Sequence, residues 1–369
     1  MAQKINYPKT TQKIVKDIYF ETEINDPYRW LEDDRAKETE EWVSNQNQVT
    51  FSYLKQIPYV DKIKKRMEKL WNFERLSSPF KEGKYWYYYK NNGLQNQSVL
   101  YRKNENGKDE VFLDPNTFSK DGTTSLSNIS FTKDGTLAAY SISEAGSDWN
   151  KIFIIDVESK KIIENALIDV KFSGISWLHN KGFYYAKYNK PTGSELSAKT
   201  DQHQLFFHQL GTAQSQDKVV FGDQVKRRYV GGTVTDDQNY LIITAANATS
   251  GNELYIKDLT KENSEIVTIV NHFNNNNNII DNKGNVFFMQ TNKNAPNQKL
   301  VSFSLDNYEN WNTIIPEQPE VLSLSTGSGF FFAEYMKDAI SVVKQMDYDG
   351  KLIHEIKLPG VGTVVGFDG

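Results

Sequence analysis

Gly83-Lys84-Tyr85-Trp86-Tyr87-Tyr88-Tyr89 is a turn glycine followed closely by five consecutive aromatic residues, and such a run reads as a β-strand entered from a tight turn. Its character returns in Asp134-Gly135-Thr136-Leu137-Ala138-Ala139-Tyr140, Lys181-Gly182-Phe183-Tyr184-Tyr185, Gln238-Asn239-Tyr240-Leu241-Ile242-Ile243, Gly284-Asn285-Val286-Phe287-Phe288 and Gly329-Phe330-Phe331-Phe332. Each of the six groups precedes a second strand-like run, such as Ser98-Val99-Leu100-Tyr101, Lys151-Ile152-Phe153-Ile154-Ile155 or Glu253-Leu254-Tyr255-Ile256. The repeat period is about 45 to 55 residues, the length of a four-stranded propeller blade.

A propeller suits the pattern because each twisted sheet buries both faces against its neighbours, which calls for bulky strands, and a closed ring protects the sheet edges. A β-sandwich also shows frequent turns but does not repeat so long a unit six times. The sequence therefore predicts an all-β repeat of about six blades, with Val361-Gly362-Thr363-Val364-Val365-Gly366-Phe367 expected to open one more.

Upstream of residue 77 the hydrophobic period is different. Trp42, Gln46, Val49 and Tyr53 recur at helical spacing between residues 38 and 54, with one polar interruption. A second helix is expected after Pro58, carried by Ile63, Met67, Leu70 and Trp71 and ended by Ser77-Ser78-Pro79. The expected organisation is a helical arm over residues 1–76 and a propeller over residues 77–369.

Composition narrows the function classes. Among 369 residues, 20 Tyr and 21 Phe sit in a chain whose mean hydropathy is −0.62, which fits a strand-rich protein with clustered bulky side chains. A net charge of −4 offers no basic footprint for nucleic acid, and the run Lys62, Lys64, Lys65, Arg66, Lys69 reads as the solvated face of a helix. The absence of cysteine removes disulfides, thiolate nucleophiles and zinc-thiolate sites. No uncharged apolar run approaches the roughly 18 residues a membrane span requires. The chain as written is expected to be soluble and cytoplasmic, or periplasmic if a leader has been removed.

Asp26-Pro27-Tyr28-Arg29-Trp30-Leu31-Glu32-Asp33 resembles the N-terminal signature of prolyl oligopeptidases, in which a Pro-Tyr-x-Trp-Leu-Glu stretch precedes helices that brace two domains together. Locally the same residues read as a helix entry, with Asp26 and Pro27 in a turn and Asp33 or Asp34 favouring a helix N-terminus. Further stretches resemble the family along residues 7–369, among them Trp71-Asn72-Phe73-Glu74, Gly146-Ser147-Asp148-Trp149, Lys171-Phe172-Ser173 and His203-Gln204-Leu205-Phe206-Phe207-His208. Phe206 and Phe207 stand where the family often has tyrosines, which keeps the rings and removes only hydroxyls.

The resemblance implies a seven-bladed-type β-propeller covering the active site of a C-terminal α/β-hydrolase domain, in a serine peptidase that cleaves short peptides after proline. No serine in this sequence has glycine two positions before and two positions after it, so the nucleophile elbow of such a domain is not among these residues. The catalytic domain is expected to need roughly 200 to 250 further residues, and the chain is expected to be cut short before it, to carry no catalytic residue and to be inert alone. The partners implied are that missing hydrolase domain of the same protein and short proline-containing peptides, with no nucleic acid, membrane, metal or cofactor, and a monomer when complete.

Two positions carry over on matching motifs. Asp148 resembles an aspartate that faces the peptidase domain and pairs with an arginine there, and Phe172 resembles an aromatic residue lining an outer subsite on the substrate's N-terminal side. The bland readings are a turn cap for Asp148 and core packing for Phe172. His203 and His208, five apart in a strand, fall on opposite faces and cannot chelate together, while His179, His272 and His354 are isolated. Asp236-Asp237-Gln238-Asn239 matches the turn position of Lys133-Asp134-Gly135, which argues against a glycosidase carboxylate pair. Two other functions fit the same architecture: a free-standing propeller used as a binding scaffold, and a related oligopeptidase with basic-residue specificity.

Overall fold

The computed structural model describes residues 5–104, 106–190, 200–364 and 366–367. They form two compact units, Met1–Lys171 with Tyr188–Thr200, and Phe172–Lys187 with Asp201–Gly369. The first unit opens with a hairpin of β1 (Val15–Tyr19) and β2 (Thr22–Asp26), which the hydrophobic pattern does not announce. Its two-residue turn is Phe20-Glu21, with φ of 48° and 66°. Such left-handed angles usually call for glycine or asparagine, so the turn is strained and carries no sequence signal.

Two helices follow, α1 (Lys37–Leu54) and α2 (Val60–Trp71), as the spacing predicts. Trp42, Gln46 and Val49 on α1 are half-buried, and the Trp42 indole N–H donates to Thr10 Oγ1 at 2.9 Å. Tyr53 remains exposed. Neither Asp33 nor Asp34 caps α1; the N-cap is Ala36, and Glu38 and Glu40 supply the negative charge in the first turn. The second helix ends at Trp71, well before Pro79, because Arg75–Leu76 already pairs with a strand of the first sheet. The sheet region thus starts two residues before the boundary read from the sequence.

Beyond the hairpin, the first unit holds two sheets. In the first, Tyr85–Asn91 pairs with Phe80–Glu82 and Arg75–Leu76 on one side and with Val99–Lys103 on the other, and Asp109–Leu113 completes it. In the second, Thr124–Phe131, Leu137–Glu144, Trp149–Asp156 and Leu167–Lys171 lie in that order, all antiparallel. Tyr85, Tyr87, Leu100 and Phe112 pack against Ala138, Tyr140, Ile142 and Ile155 between them. The buried Arg102 reaches across, donating to the Val157 carbonyl, pairing with Glu110 at 2.6 Å and lying 4.1 Å from the Tyr85 ring centre.

The second unit holds four sheets, each running up and down in sequence order. Their strands are Ser176–Leu178, Gly182–Tyr188, His203–Gln209 and Lys218–Phe221; Tyr229–Val234, Tyr240–Ala246, Glu253–Asp258 and Ile266–Val270; Asn277–Lys283, Val286–Thr291, Lys299–Ser304 and Asn312–Ile315; and Leu322–Gly327, Phe330–Lys337, Ile340–Met346 and Leu352–Ile356. The aromatic groups visible in the sequence are the second strands. In all six sheets the register shifts between the third and fourth strands, where a bulge adds twist at the outer edge. The described residues of 361–367 form no further ladder: Gly362 accepts from Ser341 N–H at 3.0 Å, Val364 N–H donates to Ser341 Oγ at 3.1 Å, and Phe367 stacks on Phe332.

Turns repeat as closely as strands do. Thr132 Oγ1 donates to Asp134 Oδ1 at 2.7 Å and Thr235 Oγ1 to Asp237 Oδ1 at 2.6 Å, with positive φ at the next residue, Gly135 or Gln238, in both. Gly135 must also lie against a neighbouring turn: a Cβ on it would come 2.5 Å from Gly83 Cα, whereas one on Gly284, at similar φ, would meet nothing. Gly284→Ala is expected to cost about 1 kcal/mol and Gly135→Ala distinctly more, by denaturant unfolding; equal losses would mean that the close approach is not rigid.

Asp237 also ties two sheets together, accepting from Asn282 Nδ2 at 2.9 Å. Partial desolvation works to raise its carboxyl, but hydrogen bonds from Thr235, Asn282 and Asn239 win and hold it below the ordinary 3.8. A lowered folded value means that its contribution is complete above 3.8 and is lost as pH falls through the folded value. The thermal midpoint gap between wild type and Asp237→Ala should therefore be widest near neutrality and shrink in acid; a gap that widens in acid would contradict this sign.

Candidate functional site

Asp148 sits at the end of the connection between Leu137–Glu144 and Trp149–Asp156. Ala145 and Gly146 both have positive φ, and the turn is fixed by Ser147 N–H donating to the Glu144 carbonyl at 3.0 Å and Ser143 Oγ donating to the Ser147 carbonyl at 2.6 Å. Ser147 Oγ in turn accepts from Trp149 N–H at 3.1 Å. The turn is thus held by serines, leaving the Asp148 carboxylate clear of the backbone, with 61% of its side chain exposed. It is not a turn cap.

The Lys171 ammonium lies 3.8 Å from Asp148 Oδ2 and 5.1 Å from the centre of the Trp149 ring. Trp149 and Lys171 are register partners across the antiparallel pair, which places the lysine beside the aspartate. Only 9% of the Lys171 side chain is exposed. The sequence analysis did not single out Lys171, since the run Leu-Ile-Asp-Val-Lys of its strand has no alternation that would mark its last residue as buried.

Phe172 opens the second unit. Its φ of 53° is unusual for a bulky residue, and 48% of it is exposed. Its ring lies 5.8 Å from that of Tyr229, which carries the Arg228 guanidinium 5.5 Å from its centre. Beside Tyr229 in sequence, Arg227 pairs with both oxygens of the buried Glu253 at 2.6 and 2.8 Å. Ser173 Oγ accepts from Ala186 N–H at 2.7 Å, so the backbone just after Phe172 is pinned to a core strand. A pinned, strained and half-exposed aromatic side chain is poorly explained by core packing.

The histidines take structural roles where they are buried. His203 Nδ1 accepts from Val230 N–H at 2.9 Å, and His208 Nδ1 lies 2.8 Å from Asp217, whose other oxygen accepts from Tyr185 at 2.7 Å. Among the described residues no cluster of three metal-ligating side chains is found.

The family model for the prolyl oligopeptidase N-terminal β-propeller domain matches residues 8–369. Over the whole chain the protein is 54% identical to the prolyl endopeptidase of Elizabethkingia miricola, covering 53% of it, and over 99% of the chain it is 55% identical to that of Elizabethkingia meningoseptica, covering 52%. Among solved structures, prolyl oligopeptidase B of Galerina marginata bound to a 35-residue substrate aligns with 97% of the chain and 55% of its own, at a TM-score of 0.83 and 27% identity. The chain spans about half the length of the curated relatives it matches. The six sheets, the arm motif and this agreement along the full sequence place the chain in the prolyl oligopeptidase family, as its N-terminal β-propeller portion.

Proposed function

We propose that the chain is the substrate-gating portion of a serine endopeptidase that hydrolyses short peptides after proline, working with a C-terminal α/β-hydrolase domain of the same protein. The observation that carries this reading is the identity of 54% and 55% to two prolyl endopeptidases across essentially all of the chain. That likeness favours proline over basic-residue specificity. The reaction is acyl transfer: a serine of the hydrolase domain attacks the carbonyl after proline, a histidine takes its proton, and water releases the acyl-enzyme. The chain alone is inert.

Uncovered apolar surface on the arm supports a docking role. Ile18, Tyr19 and Phe20 crown the strained hairpin, and Ile63, Met67, Leu70 and Trp71 of α2 are all more than half exposed or close to it. An amphipathic helix with its apolar side in water calls for a partner surface. Within this reading Asp148 takes an arginine of the hydrolase domain, its carboxylate being largely open, and Phe172 offers its ring to an outer substrate subsite.

Purified chain should not turn over a chromogenic proline peptide; activity that follows the chain through every column would defeat that expectation. Phe172→Gly exchanges the loss of a ring contact for relief of backbone strain, so its stability should stay within about 1 kcal/mol of wild type. In the protein extended by its hydrolase domain, the same change should raise KM and leave kcat nearly intact. A loss beyond about 2 kcal/mol by denaturant unfolding would make Phe172 a packing residue instead.

A further inference from the structure

Between the two sheets of the first unit lies a cavity of about 670 Å³, bordered by Phe80, Glu82 and Tyr89 from one sheet and Ser127, Asn128 and Phe131 from the other. Its size suits a small organic ligand or one residue of a peptide. Glu82 is the group that needs explaining. In the strand Phe80–Glu82 it shares a face with Phe80, whose ring stacks on the fully buried Tyr87 at 5.7 Å and nears Tyr89 at 6.3 Å. The carboxylate is therefore directed to the side where the sheets meet.

Partial burial pushes the Glu82 carboxyl above its usual range, and no cation or hydrogen-bond donor offsets it among the described residues. The neighbouring Lys84 is engaged with Glu158 at 3.0 Å. A carboxylate that gives up part of its water without gaining a partner lowers stability, and such groups concentrate where a ligand supplies the missing charge. One carboxylate is too small a ligand set for a metal ion, whereas aromatic rings beside a carboxylate suit an organic cation with an alkyl stem.

We propose that this cavity binds the ammonium or guanidinium group of a short peptide, the cation meeting Glu82 while its alkyl stem lies against Phe80 and Tyr89. The cation can come from a basic side chain or from the peptide's N-terminus. The site lies wholly within the first unit and does not depend on which bond is hydrolysed elsewhere, so its test reads binding and not turnover.

The full chain is titrated calorimetrically with three probes: N-acetyl-lysine amide, with a side-chain cation only; norleucine amide, with an α-ammonium only; and the neutral N-acetyl-norleucine amide. One of the cationic probes should bind at least about tenfold more tightly than the neutral one, and which of them does so identifies the source of the cation. Glu82→Gln, nearly the same size, should erase that preference and raise the thermal midpoint, since it removes an unpaired charge. Equal binding of charged and neutral probes, a preference that survives Glu82→Gln, or no saturation by about 10 mM of either cationic probe would overturn the proposal. The comparison of probes on the wild-type chain decides the matter even if the variant fails to fold.

Discussion

The second strand of each sheet must fill the space on both sides of its backbone, and this demand organises most of the chain. Sheets stack face to face about 10 Å apart, a gap that aromatic and branched side chains span and short ones leave empty. Where the demand is met on both faces, burial is nearly continuous, as in Gly182–Tyr188, Tyr240–Ala246 and Val286–Thr291. In Tyr85–Asn91 and Phe330–Lys337 burial alternates instead, leaving Trp86 and Met336 exposed on the open face. The same strand type thus serves as a fully packed layer or as a half-packed one, according to what lies on each side.

Polar side chains also tie neighbouring sheets to one another. Arg102 links the two sheets of the first unit through the Val157 carbonyl, and Asn282 reaches Asp237 in the second. Asparagines do this repeatedly: Asn252 and Asn277 exchange hydrogen bonds with each other's backbones, and Asn297 donates to the Gln318 and Pro319 carbonyls. An amide side chain can both donate and accept, so it can substitute for a strand partner where two sheets diverge. The asparagine run at residues 274–278 contributes to that network, with Asn276 accepting from Gly251 N–H at 2.6 Å.

Several side chains stand out because the packing does not consume them. Asp148 is held clear of its turn by serine hydrogen bonds, Phe172 stays half-exposed on a pinned backbone, and Glu82 is half-buried with no cation beside it among the described residues. The hairpin tip and α2 present apolar groups to water. Each spends stability that a purely structural chain would keep, and the packed sheets supply the rigidity that lets these exceptions persist.

Local side-chain type was enough to announce the six repeats, the two helices and the matching turns at Asp134 and Asp237, because aromatic runs, three-to-four spacing and turn residues act over a few residues. The β1–β2 hairpin escaped notice because Phe20-Glu21 lacks turn chemistry and its strands bury almost nothing. The fourth strands were equally quiet, being short and half-exposed, as in Asp109–Leu113 and Leu352–Ile356. Asp148 and Phe172 were legible only through family motifs, since nothing in their neighbours' chemistry marks them. What tertiary structure alone decided is which charges lose water, nearly all of it for Lys171 beside Trp149 and part of it for Glu82, which faces a second sheet more than forty residues away in sequence. Desolvation depends on every element that packs nearby, so no run of adjacent residues encodes it.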